Sequence, residues 1–143
     1  MKTCAVDIGC AYLNARTKEK YFIKAGPEFG ELAGHYLLIV GSIYGLKTSS
    51  ARWHEFLSET LYRMGFKPSK ADSDLRIKDC GDHYEYVATY VDDLIFVGRD
   101  PMKYMDILKK EYHLKGVGVP EYYLGGNVDI GADGTMTWSA KTY

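Results

Sequence analysis

Two adjacent carboxylates interrupt an apolar stretch in the segment "YVDDLIFVG", residues 90–98. Asp92 and Asp93 repel each other, and the residues around them favour a buried β-sheet. Asp7 is a further acid, at the end of the apolar segment "CAVD". Carboxylates that converge raise one another's pKa unless a cation neutralises them. Because all of the ligand atoms would be oxygens, Mg²⁺ or Mn²⁺ suits such a cluster better than zinc.

The strands beside the aspartate pair indicate how these acids could meet. Both "YVATY" and "LIFVG" are apolar on both faces, which is typical of central strands. A turn between central strands brings its carboxylates close to the ends of other strands. Each acid also has an ordinary explanation, because aspartate is common in turns and could cap the turn after the first strand. The residues alone leave both explanations open.

The first half of the chain reads as three short strands and a helix. β-Branched and aromatic residues predict strands over 3–8, 20–24 and 36–40. Apolar residues at helical spacing then predict an amphipathic helix from Ser50, and Gly65 stands where that helix would end.

The second half continues with strands and one more helix. The segment "DLRIK" predicts a strand, and the aspartate pair splits the next strand into a hairpin with a very short loop. Asp100 as N-cap and Pro101 as the first helical residue open a helix that runs to Tyr112. A last hairpin turns at residues 132–134. This order predicts an α+β fold, with a largely antiparallel sheet that carries helices on one face.

The composition indicates one folded domain. The chain has 143 residues, of which 46% are hydrophobic and 26% charged, and we expect a single domain over 1–143. Its net charge of −1 provides no global basic field for nucleic acid or a membrane.

The cysteines and the N-terminus suggest a cellular compartment. Cys4, Cys10 and Cys80 lack the close paired spacing of zinc ligands, so we expect free thiols that behave as small buried hydrophobes. The sequence has no signal-peptide core and no apolar run of membrane-spanning length. We therefore expect a soluble intracellular protein of the cytoplasm or nucleus.

An ordered set of motifs resembles the reverse transcriptase of copia-type LTR retrotransposons. The motifs are "VDIGCAYLNA", "SIYGLKTSSARWHEFLSETLYRMGFKPSKADSDL", "YVDDLIFVG" and "YYLGG", in the family's order and at similar spacing. The resemblance implies a palm-like polymerase fold and RNA-directed DNA polymerase activity. It also implies two Mg²⁺ or Mn²⁺ ions, which activate a primer 3′-hydroxyl for attack on a dNTP. The implied partners are an RNA or DNA template with its primer, the dNTP, and the remaining segments of a larger retroelement polyprotein.

The resemblance also implies catalytic roles for particular residues. Asp7, Asp92 and Asp93 match the family's catalytic and metal-binding acids. Lys115 lies near the position of a lysine that protonates the leaving pyrophosphate. Lys109 and Lys110 are close to it in sequence, and a basic helix end has its own dipole explanation.

Substrate contacts follow from the same comparison. Tyr12 matches an aromatic residue that stacks beneath the deoxyribose and excludes a 2′-hydroxyl, although an ordinary core tyrosine is the alternative. The remaining implied contacts are Tyr44, Gly45 and Lys47 for the dNTP and Tyr90, Val91, Leu124 and Gly125 for the primer.

The chain departs from the family at two places. After "YGLK" the family commonly has Gln-Ala-Pro, whereas this chain has Thr48, Ser49 and Ser50, whose hydroxyls still offer a helix N-cap. The family's fingers region lies upstream of Asp7, and its thumb and ribonuclease H regions lie downstream. We therefore expect a reverse transcriptase palm with part of the fingers.

Other functional classes remain open at this point. One is a non-catalytic nucleic-acid-binding module, or an inactive retroelement relic, with the same fold. Divalent metal binding would distinguish it from an enzyme. Another is an unrelated antiparallel α+β binding domain, which a large distance between Asp7 and the Asp92 hairpin would favour.

Overall fold

A computed structural model describes residues 1–140 of the chain. Every strand pairing in this part is antiparallel, and helices accompany the strands, so the fold is α+β as predicted. The helices are α1 (Ser49–Arg63) and α2 (Met102–Leu108), with 3₁₀ helices over Ala11–Asn14 and Pro27–Leu32. The strands are β1 (Lys2–Ile8), β2 (Arg16–Lys24), β3 (Tyr36–Gly41), β4 (Lys67–Pro68), β5 (Leu75–Asp79), β6 (Tyr84–Tyr90), β7 (Asp93–Gly98), β8 (Leu114–Gly118), β9 (Tyr122–Tyr123), β10 (Gly126–Ile130) and β11 (Met136–Ser139).

The chain divides into two compact units. The first consists of Met1–Gly9 and the chain from Glu59 onward, and the second is Cys10–Ser58. The first unit contains a six-stranded sheet, in the order β4-β5-β6-β7-β1-β8, and a three-stranded sheet, in the order β11-β10-β9. The second unit contains the β2-β3 pair. The strands therefore form three sheets where the sequence predicted one.

The core of the first unit lies against β7, in the middle of the six-stranded sheet. Leu94, Ile95 and Phe96 are consecutive and all buried, so both faces of this strand are covered, as predicted from its apolar sequence. Tyr104 of α2 stacks on Phe96, with ring centroids 5.3 Å apart. Phe66 packs edge-on against both rings. This aromatic cluster fixes the strand that begins at Asp93.

The first predicted helix is confirmed. It begins at Ser49, one residue before the predicted start, and its stripe of Trp53, Leu57 and Leu61 is buried. Gly65 adopts a positive φ of 93° directly after the helix, and the next amide, of Phe66, donates to the Leu61 carbonyl at 3.0 Å. This is the left-handed C-terminal cap that glycine favours.

The bounds predicted for the second helix were wrong at both ends. Pro101 is the N-cap rather than the first helical residue, and no side chain caps the helix, so Asp100 does not have the predicted role. The helix ends at Leu108, and turns follow it. The Tyr112 amide donates to the Leu108 carbonyl at 2.8 Å, and Tyr112 itself is buried. The apolar periodicity thus continues beyond the helix because the turn also faces the core.

The cysteines are free thiols, but they are not all buried as predicted. Cys4 is buried in β1, Cys80 is half-buried and Cys10 is exposed. Cys10 precedes the first 3₁₀ helix with a φ of 53°, a conformation typical of turns at the surface. None of the described helices is both long and apolar enough to cross a membrane.

Candidate active site

Asp7 lies near the end of β1, on the opposite side from the buried residues Cys4, Val6 and Ile8. Its Cα pairs with that of Asp93 on β7 and with that of Lys115 on β8. The strict alternation of β1 therefore keeps the Asp7 carboxylate on the half-exposed face of the sheet.

The hairpin between β6 and β7 carries the other two acids. Tyr90 and Asp93 are its last paired residues, so Val91 and Asp92 alone form the loop. The Ile8 amide donates to the Asp92 carbonyl at 2.8 Å, which attaches the hairpin tip to the end of β1. The hairpin and β1 thus place all three carboxylates at one edge of the sheet.

The three carboxylates are close enough to share a cation. Asp7, Asp92 and Asp93 each offer an oxygen, and these atoms lie within 4.8 Å of one another. The pKa of Asp93 is raised, mainly by burial and further by the charges of Asp92 and Asp7. All three side chains are half-buried. An oxygen-only donor set that remains open to water fits Mg²⁺ or Mn²⁺, which keep several waters when protein carboxylates bind them.

Lys115 lies beside this cluster on the neighbouring strand. Its exposed side chain starts directly opposite Asp7 in the register of β1 and β8. The Gly9 amide donates to the His113 carbonyl at 2.8 Å, which extends this strand pairing. A Cβ atom on Gly9 would lie 2.8 Å from His113 Nδ1 and 3.3 Å from Lys115 Cε. Gly9 is therefore required for the close approach of these two segments.

An open cavity of about 540 Å³ adjoins Asp93. Its lining includes three of the residues implied as primer contacts, namely Tyr90, Leu124 and Gly125, whereas Val91 lies outside it. The cavity is also lined by Tyr122 and Tyr123, and the pKa of Tyr123 is raised by burial and by the charge of Asp93. The tight turn between β9 and β10 thus lies beside the acidic cluster.

Two of the implied nucleotide contacts meet within the second unit. Tyr12, in the first 3₁₀ helix, is half-buried, and its ring centroid lies 4.4 Å from that of Tyr44. Tyr44 is 69% exposed. The two aromatic rings form a continuous surface, at an interplanar angle of 53°.

The loop that precedes α1 carries the other two implied nucleotide contacts. Gly45 has a φ of 92°, and the space where its Cβ would point is open. Lys47 is exposed. The Ser49 hydroxyl donates to the Ile43 carbonyl at 2.6 Å, and the Thr48 hydroxyl donates to Glu19 at 3.1 Å. The hydroxyls that replace the family's Gln-Ala-Pro therefore fix this loop by hydrogen bonds.

Sequence reasoning missed several residues that shape the site. It did not single out Gly9, His113, Tyr122 or Tyr123. The two tyrosines belong to the motif "YYLGG", so the motif pointed to their segment but not to their contact with the cavity. Gly9 and His113 gave no signal, because their pairing depends on the register of β8, a strand that the sequence pattern did not predict.

The fold and the site together define an α+β protein with an acidic centre suited to hard divalent cations. Residues 2–143 match the family model of reverse transcriptase (RNA-dependent DNA polymerase). The chain therefore belongs to the reverse transcriptase family, and the resemblance to copia-type enzymes is confirmed. Membership of this family excludes the unrelated binding domain that the sequence had left open.

The relatives are proteins of retrotransposons. The chain is 31% identical to the transposon Ty5-1 protein of Saccharomyces cerevisiae, over 96% of this chain and 46% of that protein. It is 26% identical to the retrovirus-related Pol polyprotein from transposon RE1 of Arabidopsis thaliana, over 84% of this chain and 8% of the polyprotein. The truncated transposon Ty1-A Gag-Pol polyprotein of Saccharomyces cerevisiae is 28% identical, over 81% of this chain and 10% of that protein. The chain thus spans less than half the length of these relatives.

Proposed function

We propose that this chain is the palm, with part of the fingers, of an RNA-directed DNA polymerase that extends a primer with dNTPs. The observation that carries the proposal is the convergence of the Asp7, Asp92 and Asp93 oxygens within 4.8 Å on adjoining strands. The chain's membership of the reverse transcriptase family supports the same activity.

The three carboxylates would position the primer 3′-hydroxyl and the dNTP phosphates through the cations that they bind. Asp7 and Asp92 would be the principal metal ligands, with Asp93 in support. Two Mg²⁺ or Mn²⁺ ions held there would lower the pKa of the primer 3′-hydroxyl and neutralise the charge that develops on the leaving pyrophosphate. Before metal binds, burial of Asp93 and, to a smaller extent, the charges of Asp92 and Asp7 raise its pKa and make its ionised form less favourable.

Lys115 supplies the proton for the leaving group. In the transfer, the primer 3′-hydroxyl loses its proton to water, its oxygen forms a bond to the α-phosphorus, and the bond from that phosphorus to the pyrophosphate oxygen breaks. The Lys115 ammonium group gives its proton to that pyrophosphate. Its position opposite Asp7 in the strand register supports this role.

The other residues select and orient the substrates. We assign the dNTP to Tyr12, Tyr44, Gly45 and Lys47, with Tyr12 stacking beneath the sugar. We assign the primer strand to Tyr90, Val91, Leu124 and Gly125, and the cavity beside Asp93 supports this assignment for all of them except Val91. The template is RNA or DNA, the remaining polyprotein segments complete its binding surface, and the reaction takes place in the cytoplasm or nucleus.

Primer extension by Asp92→Asn tests the proposal. The variant and the wild type are compared in a polyprotein fragment that contains this chain and its neighbouring segments. We expect a loss of at least about a hundredfold in rate, because a neutral amide cannot replace a metal-binding carboxylate. Asp106→Asn, at an exposed position of α2, is the matched control and should extend primers at the wild-type rate.

Two outcomes would oppose the proposal. An unchanged rate in Asp92→Asn would show that the acidic cluster does not perform the chemistry. Primer extension that is absent from the wild-type fragment, with its fold intact, would favour the non-catalytic module or the inactive relic.

A further inference from the structure

A second group of metal-ligating side chains lies at the other end of β6 from the aspartates. Cys80, His83 and Glu85 each offer one ligand atom, and these atoms lie within 4.8 Å of one another. They belong to the hairpin that joins β5 to β6, where the Cys80 amide donates to the His83 carbonyl at 2.9 Å. Glu85 and Tyr90, which precedes the aspartate hairpin, are five residues apart in β6, a distance of about 17 Å along the strand.

The hairpin directs the three side chains to one place. His83 and Glu85 are two residues apart along the chain and therefore point to the same face. Glu85 is fully buried there, at 0% exposure. Cys80 returns to the same face from the other side of the loop, with its Sγ atom 3.7 Å from Glu85 Oε2.

The distances within the group are those of ligands around one ion. His83 Nε2 lies 3.6 Å from Glu85 Oε1. Tetrahedral ligands at the usual zinc bond lengths are about 3.3–3.6 Å apart. A small adjustment of side chains would therefore bring the nitrogen, the sulfur and a carboxylate oxygen into zinc coordination.

The histidine is already oriented for metal binding. His83 Nδ1 lies 2.6 Å from Asp82 Oδ1, and Asp82 Oδ2 forms an ion pair with Arg99 Nη1 at 2.7 Å. Because a carboxylate paired with a guanidinium group accepts hydrogen bonds, Nδ1 carries the proton of this contact. His83 Nε2 is buried and has no hydrogen-bond partner among the described residues. A carboxylate that holds the far nitrogen of a histidine is the usual support of a metal-binding imidazole.

The carboxylate of the group is held in place by hydrogen bonds. Glu85 accepts from the Tyr104 hydroxyl, from Lys103 and from the Arg99 amide. A bound ion would share the carboxylate with these donors or replace one of them. Without a bound ion, burial of His83 Nε2 lowers the stability of the folded chain, because this nitrogen loses its hydrogen bonds to water.

We propose that Cys80, His83 and Glu85 form a binding site for one zinc-class cation, with water as the fourth ligand. Thiolate and imidazole ligands favour Zn²⁺ over the Mg²⁺ that suits the aspartates. Binding forms a bond from the metal to sulfur, and the Cys80 thiol releases its proton to solvent. The ion ties the loop to β6, and this site is independent of the proposed polymerase activity.

Titration of the whole chain with Co²⁺ tests this site. A thiolate bound to Co²⁺ produces a charge-transfer band in the near ultraviolet, and an ion at the aspartates produces none. We expect a band that saturates at one equivalent and disappears when Zn²⁺ is added. Cys80→Ser should abolish the band, and His83→Gln should weaken Co²⁺ binding by about tenfold or more. Cys10→Ser, which removes an exposed thiol from the other unit, is the matched control and should keep the full band.

The competing explanation is that His83 is an imidazolium ion bridging Asp82 and Glu85. In that case the wild-type chain shows no thiolate band, and the proposal is overturned. A band that survives in Cys80→Ser, or one lost in Cys10→Ser, overturns it as well. Circular dichroism of the metal-free variants verifies that they fold. Thermal unfolding gives a second measurement, since Zn²⁺ should raise the Tm of the wild type and Cys10→Ser but not of Cys80→Ser.

Discussion

Val91 is the residue at which the acidic hairpin stores backbone strain. It is β-branched, yet it has a positive φ of 55° in a loop of two residues. Such a conformation costs about 1–3 kcal/mol and persists where the surrounding structure enforces it. Here the neighbouring Asp92 carbonyl is held by the Ile8 amide. Strain beside a cluster of repelling acids is typical of a functional site rather than of a hairpin selected for stability.

Burial of Asp93, together with its repulsion by Asp92 and Asp7, predicts that Asp93→Asn is more stable than the wild type in a pH-dependent way. Its raised pKa means that ionisation is less favourable in the folded than in the unfolded chain. The resulting penalty is present above the folded pKa and vanishes as the pH falls below the ordinary value of 3.8. Without divalent metal, Asp93→Asn should therefore have a higher free energy of unfolding than the wild type at pH 7, and the difference should vanish near pH 3.

Urea denaturation at both pH values measures this effect. Mg²⁺ should reduce the gain at pH 7, because a bound cation stabilises the wild type more than a variant that lacks one of the three carboxylates. Asp106→Asn is again the control and should match the wild type at both pH values. A gain that persists unchanged at pH 3 would contradict the ionisation of this buried and repelled carboxylate as its cause.

The proposed role of Tyr12 in excluding a 2′-hydroxyl predicts that its substitution weakens discrimination against ribonucleotides. Its half-buried ring packs against Tyr44, which fixes its position. In an active polyprotein fragment, Tyr12→Val should raise ribonucleotide incorporation relative to dNTP incorporation by about tenfold, the ratio that about 1.4 kcal/mol of steric exclusion supplies. Single-nucleotide primer extension measures the ratio. Tyr36→Val, at a position 73% exposed in the same unit, is the control, and an equal ratio in both variants would refute the assignment.

At the scale of elements, Glu85 joins the central strand β6 to α2. It accepts hydrogen bonds from Lys103 and Tyr104 of the helix and from the Arg99 amide. Glu85→Gln should lower the free energy of unfolding at pH 7 by about 2–3 kcal/mol, since charge-assisted bonds are replaced by neutral ones. Denaturant unfolding of the metal-free chain measures the change.

The pH dependence of the same variant separates charge from packing. The pKa of Glu85 is lowered to about 2 in the folded chain, from an ordinary value of 4.5. Its contribution is therefore present above about 4.5 and is lost as the pH falls toward 2. The difference between the variant and the wild type should narrow over that range. Glu121→Gln, at an exposed position, should lie within about 0.5 kcal/mol of the wild type, and a constant deficit in Glu85→Gln would contradict the electrostatic explanation.

Local sequence patterns were sufficient to predict most of the long elements. The β-branched and aromatic content that predicted β1, the helical stripe of α1 and the apolar run of β7 are each properties of side chains within one segment. The predicted last hairpin is also confirmed, because β10 and β11 pair across residues 131–135. β4 and β8 were missed, since the first has two residues and the second contains two glycines. β8 pairs with β1, which is distant in sequence, whereas β4 pairs with β5 across a short connection.

Part of the candidate site could also be predicted from the sequence, and part of it could not. The acids could be proposed to meet because central strands bring their ends together, and the structure places their oxygens within 4.8 Å. The contact between Tyr12 and Tyr44 could not be predicted from the sequence pattern, because it depends on the path of two segments outside the strands. The group at Cys80 was also missed, since its ligands come from a loop and a strand face rather than from paired cysteines.

For the whole molecule, the net charge and the share of the relatives that the chain covers both predict weak binding of template and primer. The net charge of −1 gives little general attraction to nucleic acid, and basic contacts to phosphates account for much of the affinity of such proteins. The chain also spans less than half of its relatives. We therefore expect the isolated chain to bind metal and dNTP but to bind template and primer weakly.

Calorimetric titration of the chain with Mn²⁺, in the presence and absence of a dNTP, is the most direct test of the acidic site. We predict that wild-type chain and Asp106→Asn bind Mn²⁺, that the dNTP tightens this binding, and that Asp7→Asn abolishes the tightening. The dependence on Asp7 separates this site from the one proposed at Cys80. Mn²⁺ binding that is equally tight in Asp7→Asn, or that does not respond to dNTP in the wild type, would contradict a metal-dependent nucleotide site at these aspartates.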